Sequence, residues 1–378
     1  MHFTIKKSHL VDALSHVNKA VSAKNAISIL TGIKFEISND GLTLTGSDSD
    51  ISIQIFIPSV LNEDEIVQIF EPGKIVLPKY TFEIIKKLPN DEIEFKIVDH
   101  LTVLIKSGSS EFRLIGFEAE EYPELPQIDQ KDIFTIQGKL LKTMIIQTIF
   151  AVSTKESRPI LTGVLWNLNG QNLKFVATDS HRLAIRESTV ENPMGLSFNN
   201  VVIPGKSLNE LSKILDDHQV PVEVIVTDHQ LFVKIDNLVF FSRLLDGTYP
   251  DISRIIPEKG KTKIRVQTKE ILDAIERVAL IAKDAKNNIV KLTTLDNQLL
   301  EISSNSLETG KANEQILAKE LTGEPIKISF NAKYTIDALK TIDSQEIDIE
   351  FTGALSPFVI KPVDHDRMLH LILPIRTY

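Results

Sequence analysis

The chain has 378 residues, 42% of them hydrophobic, which is enough apolar material for an ample core and more than one domain usually needs. It has no cysteine and no apolar run that would cross a bilayer, and its start, MHFTIKKSHL, alternates instead of forming a signal-peptide core; this excludes disulfides and thiolate metal centres and predicts a cytoplasmic protein. The formal charge of −9 argues against a polyanionic partner unless the Lys and Arg residues are segregated onto one surface.

In chain order, HFTIKKSHLVDALSHVNKAV reads as a short alternating strand followed by a helix, with Leu10, Leu14, Val17 and Val21 on one apolar face. Next come VSAKNAISILTG (21–32), a turn in LTLTGSDSD (42–50), and a strand with a shorter helix in GKIVLPKYTFEIIKKL (73–88). DEIEFKIVDHLTVLI (91–105) is a hairpin turning at Asp99-His100, and EFRLIGFEAEEYPEL (111–125) closes the set. The set then returns. VSTKESRPILTG (152–163) repeats Val-Ser, Lys and Ile-Leu-Thr-Gly from VSAKNAISILTG at 152 − 21 = 131 positions. Adding 131 to the apolar stripe gives Leu141, Ile145, Thr148 and Val152, and adding 261 gives Ile271, Ile275, Val278 and Ala282. Seven of these eight are apolar, where composition alone would give roughly three, so the register is not chance. Thr148 is the exception, which a helix face tolerates because a Thr hydroxyl can bond back to the carbonyl four residues earlier and because Ile149 beside it can supply the missing apolar bulk.

The shorter helix returns in NNVVIPGKSLNELSKIL (199–215) and IKISFNAKYTIDALKTI (326–342), and the hairpin in VPVEVIVTDHQLFVKI (220–235) and QEIDIEFTGALSPFVI (345–360). Each third reads as two helices and about eight strands, an α+β unit with helices on one side of antiparallel sheet. The predicted domains are 1–128, 129–253 and 254–378, with linkers near 126–132 and at 256–263.

The helices carry Lys19, Lys24, Lys86, Lys87, Lys142, Lys155, Lys206, Lys213, Arg277, Lys283, Lys286, Lys333 and Lys340 on or beside their polar faces, while acidic residues crowd into FEAEEYPEL, NEDE and DSQEIDIEF. Set in an arc with helices inward, the repeats would give an acidic protein a basic inner surface; taken singly, these lysines read as solvated helix residues. Asp179, Ser180 and His181 contain the letters of a hydrolase triad, but consecutive residues point to different sides and cannot form its relay, and no Gly-x-Ser-x-Gly elbow is present. Asp48 matches Asp179 across the repeat, so the Asp is expected to build a turn, whereas His181 and Arg182 are particular to the middle third. Asp-His pairs at 99–100, 228–229 and 364–365 are explained by the turn propensity of Asp more simply than by metal ligation.

The triplicated plan, with ATDSHRLAIRE (177–187), LLDGTYPDISRIIP (244–257) and LILPIRTY (371–378), resembles the bacterial DNA polymerase III beta subunit family, the sliding clamps, along the whole chain, and the endings resemble Gram-positive members. The resemblance implies a clamp fold in which two three-domain subunits join head to tail as a closed ring around duplex DNA. It also implies a non-enzymatic role without cofactor, tethering the replicative alpha, or C-family, polymerase subunit in a nucleoid-associated cytoplasmic setting. It places Lys24 and Lys155 facing DNA, and Phe112 and Leu114 opposite Leu280 and Ile281 across the subunit interface. Leu280 lies 280 − 271 = 9 residues from Ile271, off the core face; from the residues alone, Leu280 and Ile281 read equally as satellite core.

The family's groove takes linear peptides ending in a hydrophobic pair, from polymerases including translesion polymerases, the clamp loader, mismatch repair and other clamp-binding-motif proteins. Its matching positions are Leu161, Thr178, Ser180, His181, Arg182 and Leu183, then Pro250, Arg254 and Ile255, and the tail residues Leu371, Leu373, Pro374, Ile375 and Arg376. Aliphatic walls suit the peptide's Leu and Phe, while Thr, His and Arg can orient its polar parts. Leu161, Leu183 and Leu371 read also as plain core, and Pro250 and Pro374 as strand terminators. Ser180 stands where some members have Gly, Leu373 and Ile375 replace flexible methionines, and Thr377 and Tyr378 extend the tail by one residue. A non-ring scaffold that binds hydrophobic peptides without DNA is the competing reading. No Walker motif is present, so any ATP would be used by a separate loader.

Overall fold

The computed structural model describes residues 1–22, 24–125, 133–215, 220–257, 259–282, 288–306 and 308–376. Among them are six α-helices: α1 (Lys7–Val17), α2 (Thr81–Lys87), α3 (Gly138–Ile149), α4 (Gly205–Ile214), α5 (Thr268–Ala282) and α6 (Ala332–Leu339). The long helices α1, α3 and α5 each follow a short strand, and Leu10, Leu14, Val17, Leu141, Ile145, Ile271, Ile275 and Val278 are all buried. Helices α1 and α3 stop at Val17 and Ile149, so Val21 and Val152, expected on the same stripe, lie beyond them, Val21 buried and Val152 half-buried. Thr148 is fully buried too, and its hydroxyl donates to the Met144 carbonyl at 2.9 Å, the back-bond that lets a polar residue stand in the apolar face.

Two large antiparallel sheets run across the sequence repeats. In an eight-stranded sheet the order is Ile133–Gln137, Pro221–Val226, Gln230–Ile235, Leu238–Arg243, Ile51–Pro58, Gly41–Ser47, Gly32–Ser38 and Gly73–Pro78, joined where Phe240 pairs with Ile53. A nine-stranded sheet runs Phe198–Pro204, Gly163–Asn169, Asn172–Thr178, Arg182–Thr189, Met368–Ile372, Phe358–Pro362, Glu346–Phe351, Thr262–Gln267 and Glu320–Gly323, joined where Leu183 pairs with Leu371. Each joint satisfies the backbone groups of two strands that would otherwise be open edges. The chain accordingly packs as two compact units, 1–139 with 192–194 and 210–244, and 140–191 with 195–209 and 245–378, so the central third is divided between them.

Two smaller sheets end, among the described residues, in strands paired on one side only. In the first unit Ser110–Ile115 is the edge of a five-stranded sheet, and in the second Gly310–Leu317 is the edge of a four-stranded one. The linker expected at 256–263 is shorter than predicted: Thr262 and Lys263 open a strand, and Thr262, 2% exposed, donates its hydroxyl to the Glu324 carbonyl at 2.6 Å. The linker expected at 126–132 lies outside the described residues.

The repeat is kept down to close contacts. Gly32 and Gly163 each follow a short 3-10 turn, Ser28–Thr31 or Pro159–Thr162, and open a strand against its neighbour. A Cβ at Gly32 would lie 2.8 Å from the Leu77 carbonyl oxygen, and one at Gly163 would lie 2.7 Å from that of Ile203. No side chain fits at either position, which is why Ile-Leu-Thr-Gly recurs with its glycine.

Candidate functional site

The site begins at the turn between the Asn172–Thr178 and Arg182–Thr189 strands. Asp179 Oδ1 accepts the backbone N–H of His181 at 2.9 Å and of Arg182 at 3.0 Å. The Thr178 hydroxyl donates to the Arg182 carbonyl at 2.6 Å and accepts the Ser180 N–H at 3.1 Å. The same turn stands 131 residues earlier, where Asp48 Oδ1 accepts from Asp50 at 3.0 Å and Ile51 at 2.9 Å. Ser180 and Ser49 both take positive φ, +74° and +87°, so a glycine at this position would relieve backbone strain. Asp179 is thus turn architecture, and its remaining oxygen is occupied by Arg182, so it does not orient the His181 ring for catalysis.

Arg182 is only 9% exposed. Its Nε donates to Asp179 Oδ2 at 3.0 Å and its Nη1 to Asp337 Oδ2 at 2.7 Å. The guanidinium lies over the rings of Tyr334 at 4.6 Å and Phe150 at 5.3 Å, and Tyr334 also stacks on His181. The guanidinium is therefore held in place by two carboxylates and two rings and is not free at the surface. Leu161, Leu183 and Leu371 are 4%, 1% and 1% exposed and pack with Val176, Tyr249 and Val359, forming a floor. Thr178 is buried as well, its N–H donating to the Tyr249 hydroxyl at 3.0 Å, and burial pushes that phenol well above its ordinary pKa.

Ser180, His181, Pro250, Arg254, Ile255, Leu373 and Arg376 are exposed, with Pro374 and Ile375 half-buried. The tail is tied in beside the turn: the Leu373 N–H donates to the His181 carbonyl at 2.9 Å and the Ile375 N–H to the Ser329 carbonyl at 2.7 Å, while Pro374 bridges to Phe330. The tail is thus hydrogen-bonded to the turn, and α6 reaches the turn through Asp337, while Thr377 and Tyr378 lie outside the described residues. Tyr334, Phe150, Asp337 and Tyr249 were not legible as site residues. The available signal was the i, i+3 spacing of Tyr334 and Asp337 on one helix face, but nothing in sequence points that face at Arg182.

The other candidates lie elsewhere. Lys24 and Lys155 are exposed in matching loops, each backbone N–H donating to a serine hydroxyl two residues earlier, Ser22 at 3.3 Å and Ser153 at 3.1 Å. Several of the helix cations are partly neutralised: Lys86 by Glu83 at 3.7 Å, Lys213 by Glu210 at 2.6 Å, Lys340 by Glu276 at 2.7 Å, Lys333 by Asp337 at 2.9 Å, and Arg277 by Glu314. The basic face is more diluted than its lysine count suggests, and Lys283 and Lys286 lie outside the described residues. Leu280 is 60% exposed, on the side of α5 away from Ile271 as helical periodicity requires, and Ile281 is half-buried. Leu280 lines a cleft of about 550 Å³ between α5 and α6. Phe112 is 38% exposed on its edge strand, whereas Leu114 is 8% exposed and paired with Val103 in its own sheet.

Repeated strand-helix units on long antiparallel sheets define the clamp class of protein. Family models for the DNA polymerase III beta subunit match in sequence order, the N-terminal domain at residues 1–126, the central domain at 135–251 and the C-terminal domain at 253–376. The chain is 51% identical to the beta sliding clamp of Bacillus subtilis (strain 168) over 379 residues, covering 100% of both chains. The crystal structure of the Bacillus subtilis DNA polymerase sliding clamp superposes with a TM-score of 0.98 at 50% identity, again over 100% of both chains. A Pseudomonas aeruginosa sliding clamp solved bound to griselimycin matches with a TM-score of 0.92 at 28% identity, with 100% of both chains covered. The chain belongs to the DNA polymerase III beta subunit family. It is a DNA sliding clamp, built of three clamp domains and serving as a non-catalytic processivity subunit.

Proposed function

We propose that two copies, each with domains 1–128, 129–253 and 254–378, join head to tail into a closed ring around duplex DNA. The observation that carries this reading is the two edge strands, each paired on one side only among the described residues, Ser110–Ile115 in one packing unit and Gly310–Leu317 in the other, with exposed Phe112 on the first and exposed Leu280 on α5, which packs against the second. An edge with an apolar side chain in one unit and a different one in the other supports a heterologous contact that closes by symmetry. Phe112, Leu114, Leu280 and Ile281 form this contact, and covering Leu280 and Phe112 removes apolar surface from water.

Inside the ring, Lys24, Lys155 and the helix cations hold the duplex through diffuse, water-bridged phosphate attraction, which carries no sequence information and lets the ring slide. Topological tethering turns a weak polymerase contact into a nearly intramolecular one. The groove around His181, Tyr334 and the tail takes hydrophobic peptides from the replicative polymerase, the clamp loader, translesion polymerases and mismatch repair proteins, which places the protein on the nucleoid in the cytoplasm. The groove is tested by titrating a labelled peptide ending in Leu-Phe: binding is expected for the wild type and is expected to be lost in Leu373→Asp. Equal binding by both proteins sinks the groove assignment.

A further inference from the structure

Arg182 is gripped from two directions, by Asp179 in its own turn and by Asp337 on α6. The second grip is divided. One helical turn before Asp337, Lys333 reaches both carboxylate oxygens, Oδ1 at 3.2 Å and Oδ2 at 2.9 Å, so Oδ2 serves two cations at once. Lys333 is 64% exposed and lines the α5–α6 cleft with Arg277 and Lys340. Arg277 and Lys340 have carboxylates of their own, Glu314 outside the cleft and Glu276 within it, where Asp273 also lies, whereas the carboxylate of Lys333 also fixes Arg182.

We propose that Asp337 is a positioning residue for the peptide groove, and that phosphate held at Lys333 tightens the groove on its peptide through this divided ion pair. The inference rests on the groove and on the DNA-facing role of the helix cations argued above. A phosphate at Lys333 draws the ammonium off Asp337 and leaves the carboxylate wholly to Arg182. The guanidinium, and with it the Tyr334 ring on which it stacks and the His181 ring beyond, lose alternative positions. A groove already ordered costs a peptide less entropy on binding, and by linkage the peptide strengthens the phosphate contact by the same factor.

The test titrates a fluorescein-labelled peptide ending in Leu-Phe into the full-length protein at low ionic strength, with and without a short linear duplex. The duplex should tighten wild-type peptide binding about fivefold. Asp337→Asn should weaken it about tenfold and remove the response to duplex, and Asp337→Glu should restore part of both. Lys333→Met should bind without duplex as tightly as the wild type does with it, and respond no further; this arm stands even if Asp337→Asn folds poorly. A Lys333→Met protein that keeps the wild-type response overturns the inference, as does a wild type that binds peptide equally with and without duplex. A wild type that binds no peptide at all overturns the groove reading, and this inference with it.

Discussion

His370 shows how a single buried side chain sets a pH limit. It is 1% exposed, its Nε2 lies 3.2 Å from the Thr341 hydroxyl, its ring sits edge-on to Phe150, and burial lowers its pKa from 6.5 to about 3. Because the folded value lies below the unfolded one, the unfolded chain takes up a proton below pH 6.5 that the folded chain refuses. Stability is therefore complete above that pH and falls with it, by about 1.4 kcal/mol per pH unit down toward the folded value. Trp166, the only tryptophan and fully buried in the same packing unit, reports the transition. Urea unfolding followed by its fluorescence should show the wild type losing about 2 kcal/mol between pH 6.5 and 5, and His370→Leu losing far less; parallel curves would exclude His370 as the cause. The two equivalent turn aspartates give a paired prediction. Asp48→Ala and Asp179→Ala each remove two backbone acceptor bonds, but only Asp179 also holds a buried arginine, so its loss should cost about 1–2 kcal/mol more. Equal losses in denaturant melts would show that Arg182 is indifferent to this partner.

At the scale of elements, the long helices were legible because one apolar stripe returns at a fixed offset, and even Thr148 could be anticipated from its ability to bond back to its own helix. The Asp179 turn was legible for a related reason: the first repeat contains it without His-Arg, which separates scaffold from site. The strand joints were not legible. Phe240 pairing with Ile53, and Leu183 with Leu371, depend on which edges meet in space, and alternation within each strand is the same whether its neighbour is near or far in sequence. Arg182 shows the same limit, since Asp337 lies 155 residues away. The glycines that open the matched strands make the scaffold testable: Gly163→Ala would drive a Cβ into the Ile203 carbonyl and should cost about 2–3 kcal/mol in urea unfolding, and a neutral result would mean that the strands can part without penalty.

For the whole molecule, an acidic chain that works on DNA needs its charges sorted, and only part of that sorting was readable. The helix lysines and Arg277 were visible in sequence, but their pairing with Glu83, Glu210, Glu276, Glu314 and Asp337 was not, and it leaves a milder attraction suited to sliding rather than gripping. Such an attraction cannot by itself retain the protein on DNA, and the proposed ring closure supplies what it lacks. In sedimentation the wild type should therefore run at twice its 42.4 kDa chain mass, and Leu280→Ala with Ile281→Ala at the single-chain mass. The most direct measurement places the protein on a circular duplex with its clamp loader, washes at a salt concentration that screens phosphate contacts, and then cuts the circle once. Retention on the intact circle followed by rapid loss from the linear product is the predicted result; equal retention on both, or none on the circle, would contradict a sliding ring.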